Sequence, residues 1–89
     1  MLYMVIERFK DGAAPEIYGR FREKGRMMPD GLEYVSSWID RDFKVCWQLM
    51  ETKDETLFPL WTDNWEDLME FEIVSVHTSA EIAETMKAL

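Results

Sequence analysis

The sequence contains very little of what would tie it to a metal, a disulfide or a membrane. Its 89 residues include one cysteine, Cys46, and one histidine, His77, so neither an internal disulfide nor a cluster of soft metal ligands is expected. No apolar run approaches the roughly 20 residues of a membrane-spanning helix, and the first residues lack a basic leader with a small-residue cleavage site. We therefore expect a cytoplasmic protein that needs no cofactor or metal and does not associate with membranes.

Basic residues and phosphate-binding motifs are also scarce. Ten Lys and Arg residues stand against 18 Asp and Glu residues, which gives a formal net charge of −8. Such a chain repels the phosphate backbone of nucleic acids, so we expect no nucleic-acid partner. The sequence also lacks a glycine-rich phosphate loop and a serine nucleophile motif, which excludes the enzyme classes most easily recognised from sequence.

Apolar and aromatic residues, in contrast, are abundant for a chain of this length. Hydrophobic residues make up 47% of the sequence and aromatic residues 13%, with four Trp and seven Met. A domain this small removes only about 60% of its unfolded surface from water. We therefore expect part of this apolar surface to be covered by a second subunit.

The alternation of apolar residues predicts four strands. Runs rich in β-branched and aromatic residues, bounded by turn signals, cover residues 2–9, 32–40, 44–52 and 70–77. The second and third runs are joined by a short polar connection, which favours a hairpin.

Helix signals fill the gaps between these strands. A first helix is expected from Pro15 to about Gly25. A second is capped by Asp54 or Thr56 and has an apolar stripe of Leu57, Trp61, Trp65 and Leu68. Thr78-Ser-Ala-Glu81 matches a capping box that opens a short tail helix. The order predicts one α+β domain over residues 1–89, ferredoxin-like βαββαβ, with a four-stranded antiparallel sheet, strands one and three central and both main helices on one face.

Both faces of this predicted sheet are apolar. In the first strand Leu2, Met4 and Ile6 point to one side, while the residues between them, such as Tyr3 and Val5, point to the other. Two helices cover only one face, so the second would expose a patch larger than the few hundred Å² that monomers usually tolerate. We expect a homodimer that packs sheet against sheet as a dimeric α/β barrel.

Four segments also resemble a known family. They are MLYMVIERF, GRMMPDGLEYVSSWID, CWQLMET and WEDLMEFEIVSV. Together they resemble domain of unknown function 3303, in the dimeric α/β-barrel superfamily, up to about His77. The resemblance implies the ferredoxin-like fold and the sheet-to-sheet dimer, and it implies no catalytic residues.

Two polar residues on the central strands are the strongest site candidates. Glu7 and Gln48 lie on adjacent strands, where a buried and unpaired polar group is costly. One interpretation is structural, with Glu7 in water at the sheet rim and Gln48 bonded to a partner chain. The other is a small cavity in which both residues orient a ligand and Glu7 acts as a general base. The remaining candidates for such a site are Tyr34, Trp38 and Trp61 as aromatic walls and Arg26 as an anion-binding donor.

Other polar groups favour ordinary structural roles. Haem-degrading members of the superfamily hold iron with a histidine on the second helix, where this chain has none. Asp63 and Asp67 fall on the side of the second helix that faces solvent, and Cys46 has apolar neighbours. Two functions follow as hypotheses: a small-molecule-binding protein, including a cofactor-independent oxygenase or isomerase, or a non-catalytic homodimeric protein-interaction module.

Overall fold

The computed structural model describes all 89 residues and has the predicted order of elements. In chain order these are β1 (Leu2–Phe9), α1 (Ala14–Lys24), β2 (Glu33–Ile39), β3 (Val45–Glu51), a 3₁₀ turn (Glu55–Leu57), α2 (Phe58–Thr62), β4 (Met69–Val76) and α3 (Ser79–Lys87). The α+β ferredoxin-like prediction is thereby confirmed. No helix is both long and apolar enough to span a lipid bilayer.

The four strands form one antiparallel sheet in the order β2-β3-β1-β4. As predicted, β1 and β3 occupy the centre. Val5 lies opposite Gln48 of β3 and Ile73 of β4, which fixes the register across the middle of the sheet. Side chains alternate between faces along a strand, so Tyr3, Val5 and Glu7 share one face.

The core lies on the face that carries Tyr3, Val5 and Glu7. All three residues are buried, whereas Leu2, Met4 and Ile6, on the other side of the same strand, are only half-buried. We call the side of Leu2, Met4 and Ile6 the open face. The buried apolar residues form one cluster, made of Tyr3, Val5, Ala13, Ile17, Leu32, Met50, Phe58, Trp61, Trp65, Leu68 and Met69.

Helix α1 packs through a narrow apolar side. Pro15 occupies its first turn, where no intrahelical donor is lost, and Ile17 is the residue that it buries. Gly25 ends the helix with φ 67°, and its backbone N–H donates to the carbonyl of Phe21 at 2.8 Å. A glycine is favoured there because residues with a Cβ rarely adopt this left-handed conformation.

Helix α2 is shorter than predicted. Asp54 caps the preceding 3₁₀ turn by accepting a hydrogen bond from the Thr56 N–H, but α2 itself ends at Thr62. Residues 63–68 continue as tight turns. The Asn64 side chain donates to the carbonyl of Leu60 at 3.1 Å, and such side-chain bonds compete with regular helical bonding. The turns still place Trp65 and Leu68 in the core.

The tail helix α3 begins with the predicted capping box. Thr78 Oγ1 accepts from the Glu81 N–H at 3.1 Å and donates to the Glu81 carboxylate, also at 3.1 Å. None of its residues is buried, and Ile82 and Met86 leave an apolar stripe in solvent. The cap therefore stabilises a helix that receives little support from the rest of the chain.

Replacing Thr78 with Ala should loosen α3 and leave the sheet intact. Loss of the N-cap costs about 1 kcal/mol of helix stability. Hydrogen exchange should become faster for the amides of the first turn of α3, residues 79–82, and stay unchanged in β1 and β3. Thr85→Ala, on the same helix but away from the cap, is the matched control. Equal exchange rates in Thr78→Ala and the unsubstituted protein would contradict this role.

Candidate functional site

A cavity of about 150 Å³ lies between α1 and the sheet face that carries the core. Eight of its twelve lining residues are hydrophobic. The walls are formed by Glu7, Phe9, Ile17, Tyr18, Phe21, Arg26, Ser37, Cys46, Gln48, Trp61, Trp65 and Met69. An apolar cavity with a few convergent polar groups is the usual form of a small-ligand site.

Glu7 is the buried carboxyl group of this cavity. It lies in the central strand β1, opposite Cys46 of β3 and Phe71 of β4, and only 7% of its surface is exposed. Burial raises the pKa of Glu7 from its ordinary 4.5 to about 7, although the Arg26 charge and a hydrogen bond with Cys46 act in the lowering direction. Near neutral pH the carboxyl group can therefore either accept or donate a proton.

Arg26 is the cation of the cavity, and the loop after α1 holds it there. Its guanidinium carbon lies 3.7 Å from the ring centre of Tyr34 and 4.9 Å from that of Phe21. The indole N–H of Trp65 donates to the Arg26 carbonyl at 3.0 Å, which fixes the backbone. The structure has five ion pairs with N···O distances up to 4.0 Å, and none of them includes Arg26. Stacking on aromatic rings orients a guanidinium while leaving its N–H donors free.

Two further polar groups at the cavity are poorly satisfied by the protein. The Gln48 amide nitrogen donates only to the sulfur of Met50, at 3.3 Å, and a thioether is a weak acceptor. Trp61 is 2% exposed, and its indole N–H has no hydrogen-bond partner. A buried donor without a partner costs about 1 to 3 kcal/mol. The Gln48 amide can offer a hydrogen bond to a bound molecule, whereas the Trp61 N–H is enclosed by the protein itself.

The remaining titratable groups of the cavity are held neutral. Burial, followed by the nearby Glu7 charge, raises the pKa of the Cys46 thiol to about 12. Burial also raises the pKa of Tyr18, and Cys46 and Glu7 act in the same direction. The thiol is consequently not a thiolate nucleophile at physiological pH, and the Tyr18 hydroxyl stays protonated.

The structure brings four of the six sequence-predicted site residues to the cavity. These are Glu7, Arg26, Gln48 and Trp61. Tyr34 does not line the cavity, but its ring lies under the Arg26 guanidinium. Its hydroxyl also forms a 2.7 Å hydrogen bond with Ser37, which does line the cavity.

Trp38 does not line the cavity. It lies opposite Trp47 on the open face and is 56% exposed. The reason is a register shift in β2 between Tyr34 and Ser36, which adds one residue to the strand. Such a bulge reverses the alternation of side chains, so Tyr34 and Trp38 point to opposite faces despite their even spacing.

Several cavity residues were not among the sequence candidates. Ile17, Tyr18 and Phe21 form the apolar side of α1, and this three-to-four spacing was the signal that could have identified them. Cys46 could have been identified as a cavity residue from the antiparallel pairing of β1 with β3, which places it opposite Glu7. Trp65 carried no separate signal, because its contact with the Arg26 backbone joins segments 39 residues apart.

Asp67, in the turns after α2, forms an ion pair with Arg20. Both Asp67 carboxylate oxygens accept from the Arg20 guanidinium at 2.8 Å, and these hydrogen bonds lower the pKa of Asp67. Arg20 also donates to the Asn64 carbonyl at 2.8 Å, which ties α1 to the turns after α2. No group of three or more His, Cys, Asp or Glu side chains is placed to hold a metal ion.

Comparison with known proteins gives a family. The chain matches the family described as domain of unknown function (DUF3303) over residues 1–89, and it belongs to this family. The resemblance of the four sequence segments to this family is confirmed, and the match extends beyond His77. No curated protein and no solved structure is significantly similar to the chain.

Proposed function

We propose that this member of the domain of unknown function 3303 family binds a small, weakly acidic organic molecule in the cavity, with Glu7 as the general base. One observation carries the proposal: a carboxyl group whose pKa is raised by burial to about 7 lines a cavity together with Arg26, which forms no ion pair. Titratable groups with strongly shifted pKa values in a cleft are concentrated at functional sites.

The arrangement suits proton transfer without a cofactor. The Glu7 carboxylate would take a proton from a carbon or oxygen acid of the bound molecule, and Arg26 would stabilise the negative charge that develops. If Glu7 returns the proton to another atom of the same molecule, the reaction is an isomerisation and needs no further reactant. A cofactor-independent oxygenase would use the same first step and would then need dioxygen to react with the carbanion.

We further propose that the active form is a homodimer joined through the open face. Leu2, Met4 and Ile6 of β1 are flanked there by Trp47 of β3 and Val74 of β4, which form an apolar patch in the middle of the face. Charged residues lie on the same face around this patch: Glu51 opposite Leu2, and Glu72, which pairs with Arg8 at 2.9 Å. The cavity lies on the opposite side of the sheet. A second copy on the open face would therefore leave the cavity accessible.

A non-catalytic interaction module is the alternative, and the tail helix favours it. Ile82 and Met86 form an apolar stripe that has no partner in the chain, with Met86 56% exposed. Amphipathic helices commonly bind in an apolar groove of another protein. Under this alternative the cavity would bind no ligand, and substitutions in α3 would abolish binding of the partner.

A stability screen with weakly acidic small molecules tests the proposal. A ligand present at 100 times its dissociation constant stabilises the folded state by about 2.7 kcal/mol, so a bound molecule should raise the melting temperature. It should also change tryptophan fluorescence, because Trp61 and Trp65 line the cavity. Glu7→Gln should abolish turnover of any compound that the protein converts.

The control for this screen is Glu66→Gln, an exposed carboxyl group in the turns after α2. It should leave binding and turnover unchanged. If no compound changes the melting temperature or the fluorescence, and deletion of residues 79–89 abolishes binding to a partner protein, the interaction-module alternative replaces the proposal.

A further inference from the structure

The cavity contains one cation and one titratable acid. Arg26 is the only Lys, Arg or His residue among its lining residues, and Glu7 is the only Asp or Glu. The other titratable groups, Cys46 and Tyr18, stay neutral near pH 7 because their pKa values are raised. The net charge of the empty cavity therefore changes from zero to plus one when Glu7 is protonated.

The unsatisfied donors of the cavity specify the polar part of its occupant. The Arg26 guanidinium is partly exposed and forms no ion pair, and the Gln48 amide nitrogen donates only to the sulfur of Met50. Both nitrogen groups are donors, so they favour an occupant that presents acceptor atoms. A carboxylate, enolate or phenolate oxygen meets this requirement and also carries the charge that complements a guanidinium.

The volume and the apolar walls specify the remainder of the occupant. A dry apolar cavity of about 150 Å³ is large enough to bind benzene. The cavity found here has a similar volume but is partly open to solvent, and eight of its twelve lining residues are hydrophobic. The occupant is accordingly of single-ring size, with an apolar body and one anionic end.

We propose, building on the function proposed above, that the cavity binds an organic anion of single-ring size and that a proton binds Glu7 at the same time. The reason is electrostatic. One guanidinium can balance either the Glu7 carboxylate or the bound anion, and two negative charges in one small buried site strongly disfavour each other. A neutral Glu7 removes this repulsion, and its hydroxyl can then donate to the anion.

The groups around Glu7 permit this coupling and supply no second titration near pH 7. Cys46 faces it from β3, Tyr18 from α1 and Arg26 from the loop after α1, while β4 presents the apolar Phe71. Of the groups that line the cavity only Glu7 changes charge near neutral pH, so the pH dependence of binding at this site reports on Glu7.

Titration calorimetry with benzoate as the probe tests the inference. Benzoate should bind at pH 6, and its affinity should fall about tenfold for each pH unit above the pKa of Glu7. At pH 8.5, titrations in buffers of different ionisation enthalpy should show uptake of about one proton per benzoate. Both measurements use the unsubstituted protein, so they do not depend on the folding of a variant.

Two variants separate the roles of the charges. Glu7→Gln should bind benzoate with the same affinity from pH 6 to pH 9, because no proton has to be taken up. Arg26→Gln should lose most of the binding. Arg22→Gln, a change of the same type at an exposed position of α1, should bind as the unsubstituted protein does.

The neutral analogues benzamide and benzyl alcohol distinguish the failure of this inference from failure of the proposed function. If either analogue binds more tightly than benzoate at pH 6, or if benzoate binds without proton uptake at pH 8.5, the inference is overturned and the cavity remains a ligand site. If neither benzoate nor the analogues bind at millimolar concentration, and no compound binds in the wider screen of weakly acidic molecules, this inference and the proposed function are both overturned.

Discussion

Glu7→Gln is expected to increase the stability of the protein above pH 7. In the folded state the pKa of Glu7 is raised from 4.5 to about 7 because the carboxyl group is buried. Between these two values the folded protein keeps the proton and the unfolded chain has lost it. The free energy of unfolding therefore falls as the pH rises from 4.5 to 7, and it stays low above pH 7.

The size of this effect follows from the shift. Each pKa unit corresponds to about 1.36 kcal/mol, so the buried carboxylate destabilises the folded state by about 3 kcal/mol above pH 7. Glutamine has nearly the same shape and no charge, so Glu7→Gln should remove most of this penalty. Denaturant unfolding at pH 5 and pH 8 measures this gain in stability. The free energies of unfolding of the variant and the unsubstituted protein should differ little at pH 5 and by about 3 kcal/mol at pH 8.

Two features make this test specific to Glu7. Comparing the variant with the unsubstituted protein cancels the contributions of Asp40, Asp67 and Glu81, whose lowered pKa values affect stability at more acidic pH. Glu66→Gln is the matched control, because its exposed carboxyl group should leave the pH profile unchanged. If Glu7→Gln follows the same pH profile as the unsubstituted protein, Glu7 is not a buried titrating group and the candidate site loses its general base.

Trp47→Glu is expected to convert the proposed homodimer to monomers. Trp47 lies opposite Trp38 in the pairing of β3 with β2, and both side chains are exposed on the open face, at 37% and 56%. A carboxylate at this position would be buried without a partner if the two sheets packed together. Symmetry places the substitution in both subunits, so dimer affinity should fall at least about 100-fold, or roughly 3 kcal/mol.

Sedimentation over a range of protein concentrations measures this change. The unsubstituted protein should be dimeric at micromolar concentration, and its melting temperature should fall on dilution, whereas Trp47→Glu should be monomeric at the same concentrations. Leu60→Glu provides the control, because it also places a charge at an exposed apolar position but lies on α2, away from the open face. A monomeric unsubstituted protein, with a melting temperature independent of concentration, would disprove the dimer.

The order of the elements, the central position of β1 and β3, and the adjacency of Glu7 and Gln48 could all be predicted from the sequence. These features depend on patterns within short segments and on simple rules for connecting them. Alternation of apolar residues identifies a strand wherever it lies, and right-handed crossovers leave few arrangements for βαββαβ. The capping box of Thr78 and Glu81 was predictable for the same reason, since both of its hydrogen bonds join residues three apart.

Which residues form the cavity depends on tertiary contacts. The bulge in β2 places Trp38 on the open face. A bulge of this kind becomes visible only when β2 is paired with β3, because the composition of the strand does not indicate it. Arg26 lies at the cavity because Tyr34 stacks against its guanidinium and Trp65 binds its backbone. The pKa of Glu7 likewise depends on burial by distant segments. Each of these features arises from contacts between residues far apart in the chain, which local periodicity does not encode.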